Sequence, residues 1–380
     1  MLGWDVDAAG LTLNLPPHHL ARCREVLSWL SPPRRRLSVA KWHQLLGELR
    51  SMSPALPGTR GLFSVLQEAL SRGDRTRVRL NQHVYDTAAD FTYLLDSLAS
   101  RPTRLSELVP TPPKAVGASD ACQRGMGGVW LDAHSQLPQL VWRQEFPSHV
   151  SAALVSDRNP SGSLSISDLE LSAIIAHKDI LARSRDVRER TIWIASDNQA
   201  AVSWSQKGSS TSVAARAYLL RFNALHQRCH LYLSRHHYIP GPVNAMADDA
   251  SRRWDLTDAD FLAHFDSSYP QALSWQVCRL SSATNASLTG ALCRKRPCNA
   301  LLASAAPTPT PVGSYGTLSA PASALIPSSW NLATASPSSK CTPSAIAPAQ
   351  SPPAATLCEL AHGGGRRTSG GPGVHPGGVP

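Results

Sequence analysis

Long apolar runs are missing. No stretch of roughly 18 apolar residues occurs in the 380, so the sequence offers no membrane-spanning helix and no membrane partner. Paired cysteines are missing too. The eight cysteines, at 23, 122, 229, 278, 293, 298, 341 and 358, form no Cys-x-x-Cys pair and no Cys/His cluster with zinc spacing. Scattered thiols argue against a disulfide framework and for a reducing compartment. Acids are scarce: 27 Asp and Glu face 37 Lys and Arg, and only Asp266 and Glu359 follow residue 260. The net charge of +10 fits contact with a polyanion, nucleic acid being the commonest, and fits equally a plain basic soluble protein. The opening Met1-Leu2-Gly3-Trp4-Asp5-Val6-Asp7 puts acids where a signal peptide needs an apolar core. The expectation is an intracellular protein, cytoplasmic or nuclear, or a piece of a larger one.

Three regions separate by composition. Residues 1–110 read as helical: Leu20, Cys23, Val26, Leu27 and Leu30 recur at helical spacing, as do Val39, Trp42, Leu45, Leu46 and Leu49. Ser38 fits an N-cap. Two more helices follow near 59–72 and 80–98. Arg34 to Arg36 and Arg72, Arg75, Arg77 and Arg79 add charge at the breaks, where a solvated face is the ordinary reading. Residues 111–256 alternate strands and helices: three strands, a helix from about Ser167 to Arg185, a strand Thr191–Ser196, helices, a strand to Ile239 and a short helix Asn244–Trp254. That order predicts a mixed sheet with helices on its faces. Residues 257–380 read as linker and low-complexity tail. From about 280 the chain is rich in Ala, Pro, Ser and Thr, too poor in periodic apolar surface to offset ordering entropy.

Four acids sit where metal ligands would gather. Asp120 closes the run Ala115-Val116-Gly117-Ala118-Ser119. Glu170 lies early in a helix, Asp197 follows the strand Ile192–Ser196, and Asp248 stands in Asn244-Ala245-Met246-Ala247-Asp248-Asp249. An acid at a strand end is usually a solvated turn residue or a helix cap, so order and context carry the case. Two-metal phosphodiester cleavage places two ions roughly 3.5–4 Å apart, held by hard oxygen ligands from several elements.

In these residues the chain resembles the ribonuclease H domain of the polymerase polyproteins of LTR-type and DIRS-type retroelements. The motifs are Gly117-Ala118-Ser119-Asp120-Ala121-Cys122 with Gly125 to Gly128, Leu169-Glu170-Leu171-Ser172-Ala173, Ser196-Asp197-Asn198-Gln199-Ala200-Ala201-Val202, and Pro240-Gly241-Pro242-Val243-Asn244 through Ser251-Arg252. They occur in family order. Leu2 to Asp7, Leu11 to Leu13 and Pro16-Pro17 resemble the exit from a reverse-transcriptase palm, and Ser38 to Leu70 its thumb and connection.

The resemblance implies an α/β fold with a ribonuclease H-like mixed five-stranded sheet flanked by helices, a helical region before it and a disordered tail after it. It implies a metal-dependent endonuclease cutting the RNA strand of RNA–DNA hybrids. Asp120, Glu170, Asp197 and Asp248 would hold two Mg²⁺, or Mn²⁺ in their place, and Asn198, Gln199 and Asn244 would contact substrate. Asn198 equally fits a helix cap, and Asn244 also reads as one. The polymerase half of the same polyprotein is an implied partner. Asp248 is chosen over Asp249 by motif spacing, which leaves Asp249 about 100° round the helix and solvated. No histidine lies in the loop Pro240–Val243; His236 and His237 fall on a strand. Trp130, Trp142, Trp193 and Trp204 read as core. A degenerate remnant that binds nucleic acid without catalysis is the alternative. Leu288 to Leu292 with Arg294-Lys295-Arg296 reads as the approach to a recombinase in a shifted frame.

Overall fold

The computed structural model describes residues 4–132, 137–210 and 215–294. These fall in one compact unit, Met1–Thr334; the second unit, Ala335–Pro380, lies outside the described residues. The recombinase reading around Lys295 and Arg296, and the tail from 295 onward, lie outside them as well.

The first elements are β1 (Asp5–Asp7), β2 (Thr12–Asn14), α1 (Pro17–Ser28), β3 (Arg36–Ser38), α2 (Val39–Met52), α3 (Arg60–Ser71), β4 (Arg77–Arg79), α4 (Gln82–Ser100) and β5 (Thr103–Arg104). The periodic leucines explain the helices, since Trp42, Leu45, Leu46 and Leu49 form one buried stripe of α2. Ser38 caps that helix by accepting from the Lys41 amide at 3.4 Å. The arginine-rich breaks are not loops alone. β3 and β4 form an antiparallel ribbon with Leu37 opposite Val78 and Arg36 opposite Arg79. Leu37 and Val78 are buried, whereas Arg34, Arg35, Arg36, Arg72, Arg75, Arg77 and Arg79 are exposed.

The second set is β6 (Pro113–Ala121), β7 (Gly125–Leu131), β8 (Leu140–Glu145), α5 (Ser148–Ala152), α6 (Ile166–Ser184), β9 (Thr191–Ser196), α7 (Gln199–Lys207), α8 (Ala215–His230), β10 (Leu233–Tyr238), α9 (Ala245–Arg252), α10 (Asp258–Ser268), β11 (Gln276–Cys278) and α11 (Ser282–Leu292). One mixed sheet has the order β10-β9-β6-β7-β8-β11. β6 to β8 form an antiparallel meander; β9 and β10 run parallel to β6, and β11 runs parallel to β8.

The mixed sheet is as expected, but it has six strands where five were read. The folded part also passes residue 256. Phe261 and Phe265 of α10 pack with Trp275 against Val129, Leu131 and Val141 of the sheet. Leu288, Ala291 and Leu292 of α11 are buried in the main core, so the expectation of disorder from about 280 is corrected for 282–292. Its small residues gave α11 too weak an apolar stripe to read.

α6 lies on one face of the sheet and α9 on the other. Trp130 stacks on His177 of α6 at 3.9 Å, and Trp142 donates to the same ring at 2.8 Å. Both tryptophans are buried, as core residues should be; Trp193 and Trp204 are half-buried. On β10, His236 is buried and His237 packs on Trp193.

α8 joins the helical region to the sheet region. Arg221 makes a two-pronged ion pair with Asp90 of α4. Two turns on, Arg228 bonds Thr103, Ser97 and the Arg101 carbonyl, and lies 3.4 Å from Glu107. Arg216 pairs with Asp168 at 2.6 Å. All three arginines of α8 are thus engaged by internal partners.

Candidate active site

Parallel neighbours end at the same side of a sheet, and crevices form outside their carboxyl ends. β6 and β9 are such neighbours, with Ala118 opposite Ala195. Asp120 near the end of β6 and Asp197 just after β9 therefore meet. α6, packed across that face, supplies Glu170. One carboxylate oxygen from each of Asp120, Glu170 and Asp197 lies within 4.8 Å of the others.

Asp120 is 3% exposed and Glu170 4%. Burial pushes the Asp120 pKa up; the Ser251 hydroxyl, which donates to its carboxylate, opposes this, and Asp197 and Asp248 add to it. Burial, then the charges of Asp120 and Asp197, pushes Glu170 well above the usual range. Glu170 Oε2 is buried with no hydrogen-bond partner. A buried carboxylate oxygen without a donor, among two further acids, is a fit for a divalent cation.

Asp248 is not in that convergent set. It lies on α9, half-buried, paired with Arg252 one turn on, and acts on Asp120 through space. α9 can approach because β7 is glycine-rich where they touch. A Cβ on Gly127 would fall 2.5 Å from the Ala250 carbonyl carbon. Asp249 does point elsewhere, but it is not simply solvated. It accepts from Tyr269 at 2.8 Å and lies 2.9 Å from His264 Nε2, so it anchors α10.

The amides separate. Asn198 caps α7, accepting from the Ala201 amide at 3.0 Å. Gln199 is exposed on the first turn. Asn244 occupies the cap position of α9 but makes no cap bond, which corrects the sequence reading. Its side chain is buried and donates to the Ser119 carbonyl at 3.3 Å, bracing the strand beside Asp120. Ser251 was missed from sequence; its spacing of three from Asp248, on one helix face, was the available signal.

Removing Ser251 tests this arrangement. Ser251→Ala deletes an interaction that lowers the Asp120 pKa, so that pKa rises. The acidic limb of the activity profile should move to higher pH, with the plateau rate little changed. An unmoved limb would show that the hydroxyl does not govern Asp120.

No family model matches this sequence, and no curated protein matches it. Solved structures similar to it include the foamy viral protease-reverse transcriptase in complex with RNA/DNA hybrid, at 11% identity over 63% of this chain and 29% of that one, TM-score 0.25. The same viral protein in complex with dsDNA gives 11%, 63% and 44%, TM-score 0.26. RNase H1 from the halophilic archaeon Halobacterium salinarum NRC-1 gives 13% identity over 36% of this chain and 92% of that one, TM-score 0.24. This chain thus spans under half of the viral chains it matches. The functional reading rests on the carboxylates.

Proposed function

We propose that the chain is a metal-dependent endonuclease of the ribonuclease H kind, cutting the RNA strand of RNA–DNA hybrids within a retroelement polyprotein. The observation that carries this is the convergence of Asp120, Glu170 and Asp197 from a strand, a helix and a strand end, with an unpartnered buried oxygen on Glu170. Those three would hold divalent ions, Mg²⁺ by the hardness of the donors and Mn²⁺ by the same chemistry. Bound ions would lower the pKa of an attacking water and stabilise the leaving oxygen.

The chain's own groups have separable tasks. Asp248 adds negative charge at the open side of the cluster, where Arg252 balances it. Ser251 and Asn244 hold the Asp120 strand end in place. Gln199, exposed on the first turn of α7, would contact a minor groove through its amide and so meet the 2′-hydroxyls. The ribbon of exposed arginines offers phosphate contacts that carry no sequence information.

The test is cleavage of a labelled hybrid by the full chain with Mg²⁺. The whole chain is needed because Asp90 and Glu107, partners of the α8 arginines, precede the sheet. A folded protein that binds hybrid but cuts nothing in Mg²⁺ or Mn²⁺ would establish the alternative, a remnant without catalysis.

A further inference from the structure

A second cluster of ligating groups lies away from the carboxylates, where α6 and α8 pack together under α11. Asp179 of α6 and His226 and His230 of α8 each offer an atom within 4.8 Å of the others, and all three are buried. The histidines are four residues apart, so they share one helix face. His226 Nε2 lies 3.2 Å from Asp179 Oδ1. His226 Nδ1 lies 2.9 Å from the Tyr232 hydroxyl, which fixes the ring with Nε2 turned inward. The two imidazoles are stacked obliquely, 4.2 Å between centroids.

Hydrogen bonding accounts for His226 and Asp179 but not for His230. That ring is 1% exposed, and among the described residues neither nitrogen has a partner. Burying a polar atom without a partner is unfavourable, so two on one ring need a reason.

We propose that Asp179, His226 and His230 form a structural site for a zinc-class divalent cation, which ties α6 to α8. Two nitrogens and one oxygen are donors zinc takes, and magnesium's preference for oxygen sets this site apart from the carboxylate cluster. With ligand bonds of about 2.1 Å, a tetrahedron has edges of about 3.4 Å, close to the Asp179–His226 separation. Tyr232 supplies the outer hydrogen bond that orients a ligating imidazole. Arg183 takes Oδ2 of Asp179 at 3.0 Å, so a cation at Oδ1 would replace the hydrogen bond that Oδ1 shares with His226 Nε2. The aspartate stands 47 residues before His226, so the three ligands form no local motif.

The test uses the full chain carrying Asp120→Asn and Asp197→Asn, which silences the carboxylate cluster, stripped with chelator. It is titrated with Co²⁺ alone, then Zn²⁺ alone. The expected result is one equivalent of Co²⁺ with the visible absorption of a tetrahedral site, displaced by Zn²⁺, and a Tm raised by about 4 °C or more at saturation. His230→Gln should weaken binding about 100-fold or more. No uptake and no change in Tm would overturn the proposal, as would a folded His230→Gln variant that binds equally well. If that variant does not fold, the titration of the parent decides alone.

Discussion

Asp197→Asn in the full chain is expected to remove hybrid cleavage almost completely. The fall should be about 10³-fold or more in kcat, on the order of 4 kcal/mol of transition-state stabilisation. Asp197 is the member of the convergent set that no hydrogen bond braces as Ser251 braces Asp120, and it lies only half-buried at the strand end. The change to an amide keeps shape and removes charge, so circular dichroism and the unfolding midpoint should hold while activity goes. Asp120→Asn should behave likewise in activity. It should also show some gain in stability, because its carboxylate is raised by burial and by Asp197 and Asp248. If Asp197→Asn cuts hybrid at the parental rate, the carboxylate cluster is not the active site. Separate retention of tight Zn²⁺ binding in both variants would leave the helix-bound site standing.

The second large effect concerns stability. Arg221→Met should lower the unfolding free energy by about 3–5 kcal/mol, because the buried Asp90 carboxylate would lose its two-pronged ion pair. Urea unfolding of the full chain reads this directly. The double change Arg221→Met with Asp90→Leu should recover most of the loss, since a well-packed apolar pair avoids the desolvation of both ions. A single variant within about 0.5 kcal/mol of the parent would mean that the two regions do not depend on this pair.

Much of this fold is readable from periodicity, and the parts that are not have definite causes. β9 is a short apolar run ending at Asp197, and α6 opens at the capping serine Ser165 before Glu170; both kinds of signal are local. β3, β4 and β11 have three residues each, too few for alternation to appear, and pair with distant segments. Asp120, Glu170 and Asp197 were legible because each sits in its own motif. The position of Asp248 outside the convergent set was not, because a helix's motif says nothing of how far it stands from a strand end. Asn244 shows the same limit: its position is that of a cap, and its bond goes to Ser119. His226 and His230 stand four apart on α8, and Asp179 joins them only because α6 packs against α8.

β11 has a consequence out of proportion to its length. Gln276–Cys278 occupy the flank of β8, with Gln276 opposite Leu140 and Cys278 opposite Trp142. A chain cut after residue 256 would keep Asp120, Glu170, Asp197 and Asp248 and lose this cover. It would also lose Phe261, Phe265 and Trp275 from the sheet face. β8 would then present a row of bare backbone donors and acceptors beside exposed apolar surface, the template on which sheets of different molecules join. Such a truncated chain should elute as oligomers or precipitate where the full chain stays monodisperse. Light scattering on the two at equal concentration would separate loss of solubility from loss of chemistry.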